Sequence, residues 1–148
     1  GQAVYIHREE GENAVKTDPG IGKRIPIHTA SAGKAILAHL PESEVRDIID
    51  ARGLPRFTPA SITDPEALFE DLEKTRERGY GLNKNEIIEG LSAIGAAIQG
   101  RNGYPIGALS VSCPTHRMES RLADGDLPNL LIGTANELEL NITHYNEA

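Results

Sequence analysis

The alternation of apolar and polar positions is clearest between residues 92 and 114, where two apolar runs flank Arg101-Asn102-Gly103-Tyr104. Asn-Gly between such runs predicts a β-hairpin, because both residues accept the positive φ of a type I′ turn. Counting outward from a two-residue loop pairs Ala97 with Ala108, Gly95 with Ser110 and Ala93 with Ser112 on one face. The other face pairs Ile94 with Val111, Ala96 with Leu109 and Ile98 with Gly107. One face is apolar and suited to a core; the other carries only small side chains and two hydroxyls. Two readings of the bare face stay open: a helix backbone packs closely on it, or it floors a cavity where Ser110 and Ser112 offer hydrogen bonds.

Elsewhere the pattern predicts short strands at 4–7 and 14–17, a breaker-rich loop at 18–22 and a brief edge strand at 24–28. A helix is expected over 29–40, capped by Thr29 or Ser31, with Ile36, Leu37 and Leu40 on its apolar face. Pro41 opens a second helix, 42–52, with Val45, Ile48 and Ile49 as its stripe and Gly53 as its stop. After an extended connector at 54–62, Thr63-Asp64-Pro65-Glu66 starts a third helix that buries Leu68, Phe69 and Leu72 and stops at Gly79. A short strand is expected at 81–83, a polar loop at 84–90, and a terminal amphipathic helix from Asp126 to about Tyr145. Strands first, helices in the middle and a late hairpin predict an α+β fold with an antiparallel sheet.

The chain has 148 residues, 39% hydrophobic and 25% charged, which is the composition of one globular domain with a real core. Its net charge of -7 argues against a direct grip on nucleic acid, which needs clustered Lys and Arg. The acidic balance fits either an ordinary mildly acidic surface or a host with a salty interior. One cysteine, Cys113, excludes an internal disulfide and fits a reducing compartment. No apolar run approaches the ~20 residues of a membrane span, and no signal segment opens the chain, so a cytoplasmic location is expected. The opening Gly1-Gln2-Ala3 lacks an initiator Met, which reads as a domain excised from a longer protein.

The chemical motifs are sparse. Gly33-Lys34 invites a phosphate-loop reading, but His28 stands where Gly is needed and Ala35 where Ser or Thr is needed. What survives is a helix start whose amides at Ser31, Ala32 and Gly33 suit an anion, with Lys34 free to point outward. Cys113-Pro114-Thr115-His116, with His28 and His39 elsewhere, shows half of a zinc site at most, so no metal is expected. No Gly-x-Ser-x-Gly elbow is present. Glu86 and Glu89 read either as an acid–base pair or as solvated loop charges.

Several segments together carry a resemblance. They are the run Pro26-Ile27-His28-Thr29-Ala30-Ser31-Ala32-Gly33-Lys34-Ala35-Ile36-Leu37-Ala38, then Thr75-Arg76-Glu77-Arg78-Gly79-Tyr80, Glu86-x-x-x-Gly90-Leu91, and Ala108-Leu109-Ser110-Val111-Ser112. In that order they resemble the effector-binding domain of IclR-family transcriptional regulators over nearly the whole chain. The resemblance implies a GAF-like fold: a curved antiparallel β-sheet with α-helices on both sides and a ligand cavity on one sheet face. It implies a small-molecule effector, often a carboxylate or aromatic acid, and assembly as a homodimer or homotetramer. DNA would be bound only through an N-terminal winged helix-turn-helix domain that this chain does not contain.

Carried over by position, the pocket falls on Ser31, Ala32, Gly33, Asn83, Leu91, Ala93, Ser110 and Ser112, with Val15 as a further wall. An acidic residue often stands in the family where Asn83 stands here, and a cysteine where Ala93 stands. Asn offers both a donor and an acceptor. The expectation is therefore an effector sensor without catalysis or cofactor, its 84–90 loop closing over the ligand. The alternatives are an enzyme using Glu86 or Glu89 as base in the same pocket, and a ligand-free dimerisation scaffold.

Overall fold

A computed structural model describes residues 2–11 and 20–145. The strand expected at 14–17, and Val15 with it, lies outside the described residues. Local signals position the central helices. Helix α2 (Glu42–Arg52) carries Glu42 and Glu44 in its first turn and Arg52 in its last, matching the helix dipole, and ends at Gly53. Helix α3 (Pro65–Arg78) has Pro65 at its start, and the Asp64 carboxylate accepts the Ala67 N–H at 2.9 Å. Gly79 closes it in the left-handed conformation, φ +85°.

Helix α1 is shorter than its periodicity suggested, spanning Ser31–Ala38 with Ala30 at the N-cap and no side-chain cap. Thr29 does not cap it. Its hydroxyl donates instead to the Pro26 carbonyl at 3.3 Å, and Ser31 lies inside the first turn. At the chain start, β1 (Gln2–Val4) pairs antiparallel with β2 (Arg24–Pro26) in a two-stranded sheet. This ladder lies nearer the chain start than expected; beyond Val4 the Tyr5 N–H donates to the Lys23 carbonyl at 3.2 Å and the Gly22 N–H to the Tyr5 carbonyl at 2.7 Å.

The main sheet runs β3 (Gly81–Lys84), β4 (Leu91–Gln99), β5 (Pro105–Pro114), antiparallel throughout. The hairpin register is the one counted from the sequence, from Ala93↔Ser112 to Ile98↔Gly107. Its turn is not. Gly103 alone takes positive φ, +76°, and its N–H donates to the Gly100 carbonyl while the Gly100 N–H donates to Tyr104. The loop therefore holds three residues, a turn followed by a left-handed glycine. An irregularity between Ile98 and Gln99 takes up the extra residue and restores the register.

Each sheet face has its own layer. The apolar face, with Ile94 and Ala96, packs on Met118 of α4 (Thr115–Asp124) and on Leu131 and Ala135 of α5 (Asp126–Tyr145). On the bare face, α1 joins α2 and α3 around a second core of Leu37, Ala38, Val45, Leu68 and Leu72. The fold is α+β, with helices on both sides of an antiparallel sheet. Helix α4 has no counterpart in the pattern reading, although Met118 and Leu122 stand one helical turn apart on its inner side.

Candidate functional site

The bare face is organised in rows. Gly81, Gly95 and Ser110 are cross-strand neighbours, and the next row of the same face holds Asn83, Ala93 and Ser112. Helix α1 sits directly on the first row. A Cβ added to Gly81 would stand 2.2 Å from the Ser31 carbonyl oxygen, and one added to Gly95 would stand 2.5 Å from the Ala32 nitrogen. Both glycines are there so that a helix backbone can touch a sheet backbone. Close packing and openness therefore divide the face between them. The first row is covered by α1, while in the second Ala93 is half-buried and Ser112 exposed.

Helix α1 brings its N-terminus to this edge. With no capping side chain at Ala30, the amides of Ser31, Ala32 and Gly33 have no acceptor within the helix, and the helix dipole favours an anion beside them. Ser31 is buried and Ala32 half-buried over Gly95. Gly33 is turned elsewhere, its α-carbon pressed against the Ile27 backbone, where a Cβ would stand 2.1 Å from the carbonyl oxygen. Among the described residues the Ser110 and Ser112 hydroxyls have no hydrogen-bond partner. Leu91, half-buried opposite Pro114, bounds the shelf at the end of the strand pair. The structure thus brings Ser31, Ala32, Asn83, Leu91, Ala93, Ser110 and Ser112 to one face; Gly33 contributes only its amide.

Beside the shelf lies a charge cluster that sequence reasoning missed. Lys34 does not point outward: it is 0% exposed. Its Nζ donates to Glu86 Oε1 at 2.5 Å and to the Leu82 carbonyl at 3.1 Å. It also lies 2.8 Å from Asp71 Oδ2, off the hydrogen-bonding direction, so that oxygen and Glu86 Oε2 are buried without a donor. Burial pushes the Glu86 carboxyl above its ordinary range, and the neighbouring Lys34 charge pulls it back in part. Glu86 is therefore a structural counter-ion, while Glu89 stands exposed in solvent, so the two form no acid–base pair. The signal was present: Lys34 precedes Leu37 and Ala38 by three and four residues, which puts it on the buried face of α1.

The loop expected at 84–90 to close as a lid starts at Asn85, because Lys84 ends β3, and it is fastened. The Thr58 hydroxyl donates to the Asn85 carbonyl at 2.6 Å and the Ser61 hydroxyl to the Glu86 carbonyl at 2.7 Å. Asn85, at φ +61°, accepts the Gly90 N–H and the Thr115 hydroxyl on Oδ1. Moving this loop would break the three that tie it to Thr58, Ser61 and Thr115.

The remaining candidates do not converge. His28 is buried with Nε2 3.1 Å from the Pro55 carbonyl; burial lowers its pKa, and that hydrogen bond opposes the shift. Cys113 is half-buried in the core beneath the hairpin, which raises its thiol pKa. No group of three His, Cys, Asp or Glu among the described residues is arranged to hold a metal ion. No helix among them is long and apolar enough to cross a membrane. A separate apolar cleft of about 190 Å³ lies between α1, α2 and the connector, lined by Ile27, Leu37, Ile48 and Leu54 with Arg52 at its edge.

The family model of the bacterial transcriptional regulator IclR C-terminal region matches residues 1–139. The chain belongs to the IclR family. Among the family's curated members, the HTH-type transcriptional repressor AllR of Escherichia coli is 39% identical over 117 residues, covering 79% of this chain and 43% of AllR. The chain thus spans less than half the length of that relative. Among solved structures, a putative transcriptional regulator, RHA06195 of Rhodococcus sp. RHA1, is 27% identical with a TM-score of 0.89, covering 98% of this chain and 59% of that one. The inducer-binding domain of Acinetobacter PobR, a double mutant in complex with 3-hydroxybenzoic acid, is 31% identical with a TM-score of 0.75, covering 86% and 75%. The relatives are named transcriptional regulators and repressors, regulatory rather than enzymatic proteins, and this chain matches the C-terminal domain of that family.

Proposed function

We propose that this IclR-family domain senses a small carboxylate, aliphatic or aromatic, on the shelf between the start of α1 and the Asn83–Ala93–Ser112 row. One observation carries the reading. Uncapped helix amides, two unpartnered serine hydroxyls and a carboxamide meet on a face whose only other side chains are small or apolar, with no carboxylate among them. That is a set of donors awaiting an anion. The complex of PobR with 3-hydroxybenzoic acid supports an acid as the class of ligand. The carboxylate takes the Ala32 amide and the serine hydroxyls, and the body of the ligand lies on Ala93 and Leu91.

Because the 85–90 loop is fastened, the signal runs through rigid elements: the ligand draws α1 against the sheet and biases the arrangement of subunits. It does so only by its difference in affinity between the two arrangements. The whole regulator is a cytoplasmic homodimer or homotetramer that binds DNA through a separate N-terminal domain.

Thermal melts against a panel of aliphatic and aromatic acids test this. At about 100 times its dissociation constant an acid adds ~2.7 kcal/mol, which raises the melting temperature by roughly 5–11 °C. Absence of any shift across the panel would leave a ligand-free scaffold, and turnover of an acid would restore the enzyme reading.

A further inference from the structure

Asn83 is the one side chain on the shelf whose polarity is fixed by the fold. It is 4% exposed, and its Oδ1 accepts the Glu86 N–H at 2.9 Å. That N–H cannot turn away, because the Glu86 carbonyl takes the Ser61 hydroxyl and its carboxylate holds Lys34. Flipping the carboxamide would set two donors against each other and strand a buried N–H. The oxygen is thus turned to the loop backbone and the NH2 is left over. Among the described residues Nδ2 has no acceptor, and it is not one of the buried atoms sealed without a partner. The serine hydroxyls can rotate to give or take a hydrogen bond; Asn83 is held with its NH2, a donor, as the unpaired end.

We propose that Asn83 makes this position of the effector site donor-only, so that the effector carries a second oxygen acceptor there, a carboxylate or carbonyl, besides its anchoring carboxylate. Amines at that position are rejected. This rests on the reading of the shelf as the effector site. An aspartate would still accept the Glu86 N–H on one oxygen, and its other oxygen would present a charged acceptor, reversing the preference. One atom pair, Oδ1/Nδ2 against Oδ1/Oδ2, sets which acids are read.

Calorimetric titration with matched pairs tests it: succinate against 4-aminobutanoate, terephthalate against 4-(aminomethyl)benzoate, and pyruvate against alanine. The chain is expected to bind the oxygen-bearing member of at least one pair about tenfold or more tightly than the amine. Asn83→Asp is expected to cut that ratio at least tenfold or invert it, with its melting temperature confirming that the loop is intact. Equal binding within pairs, or a ratio unchanged in Asn83→Asp while Ser112→Ala weakens both members, overturns the proposal and leaves the site standing. Binding indifferent to Ser110→Ala and Ser112→Ala overturns the site itself. No binding by any of the six overturns the proposed class.

Discussion

Replacing Lys34 with methionine keeps the length of the side chain and removes the charge that Glu86 and Asp71 share. Lys34 and Glu86 are 0% and 6% exposed, and among the described residues no other cation is within salt-bridge distance of Glu86, so the carboxylate is left buried and unpaired. Breaking a buried pair from one side costs about 3–5 kcal/mol. For a chain of this size that lowers the melting temperature by roughly 6–20 °C. The loss depends on pH in a definite direction. Burial already raises the folded pKa of Glu86, so the folded chain holds that proton at a higher pH than the unfolded chain does. Stability then falls as pH rises from the unfolded value towards the folded one, and returns on acidification through the same window. Removing Lys34 raises the folded value further, so the deficit of Lys34→Met shrinks between neutral pH and about pH 5. Glu86→Gln in the same chain removes the stranded charge and recovers at least half of the loss, because Asp71, at the partly exposed edge, rehydrates. Thermal melts of the two single variants and the double variant by circular dichroism, at three pH values, read all of this. A deficit under about 1 kcal/mol, or one that Glu86→Gln does not relieve, would refute the reasoning.

Gly95→Ala puts a methyl 2.5 Å from the Ala32 nitrogen, backbone against backbone, and is expected to cost 1–3 kcal/mol or more in a melt while displacing α1 and abolishing acid binding. Ser112→Ala, on an exposed residue, is expected to stay within about 0.5 kcal/mol of the parent in stability yet weaken acid binding several-fold by calorimetry. Thr115→Val removes the donor to Asn85 Oδ1 and the contact with the Ser92 hydroxyl; hydrogen exchange at Gly90 is expected to speed up while the core of β4 stays protected.

What was legible in the sequence was what short-range physics controls. The hairpin register follows from a period of two and the need to bury Ile94 and Ala96, so it survived a wrong turn type. Asp64, Pro65 and Gly79 fixed the ends of α3 because caps act within a few residues. The start of α1 was misread because Thr29 spends its hydroxyl on the Pro26 turn. The helical period already sets Lys34 beside the buried Leu37 and Ala38, but its partners lie 37 and 52 residues downstream, and only the fold brings Asp71 and Glu86 to it. The candidate site was half legible. The small and hydroxyl residues of the bare face could be read directly, and the resemblance to the IclR family placed Asn83 beside them. That α1 would consume the Gly81–Gly95 row, and that Asn83 would give its oxygen to Glu86, depend on tertiary approach and leave no local trace.

A nuclear magnetic resonance titration of the 15N-labelled chain with an acid that stabilises it tests the effector shelf most directly. The largest shift changes are expected at the amides of residues 31–33, 93 and 110–112 and at the Asn83 side-chain NH2. Changes centred instead on the cleft around Ile48, Arg52 and Leu54, with the shelf unmoved, would contradict it.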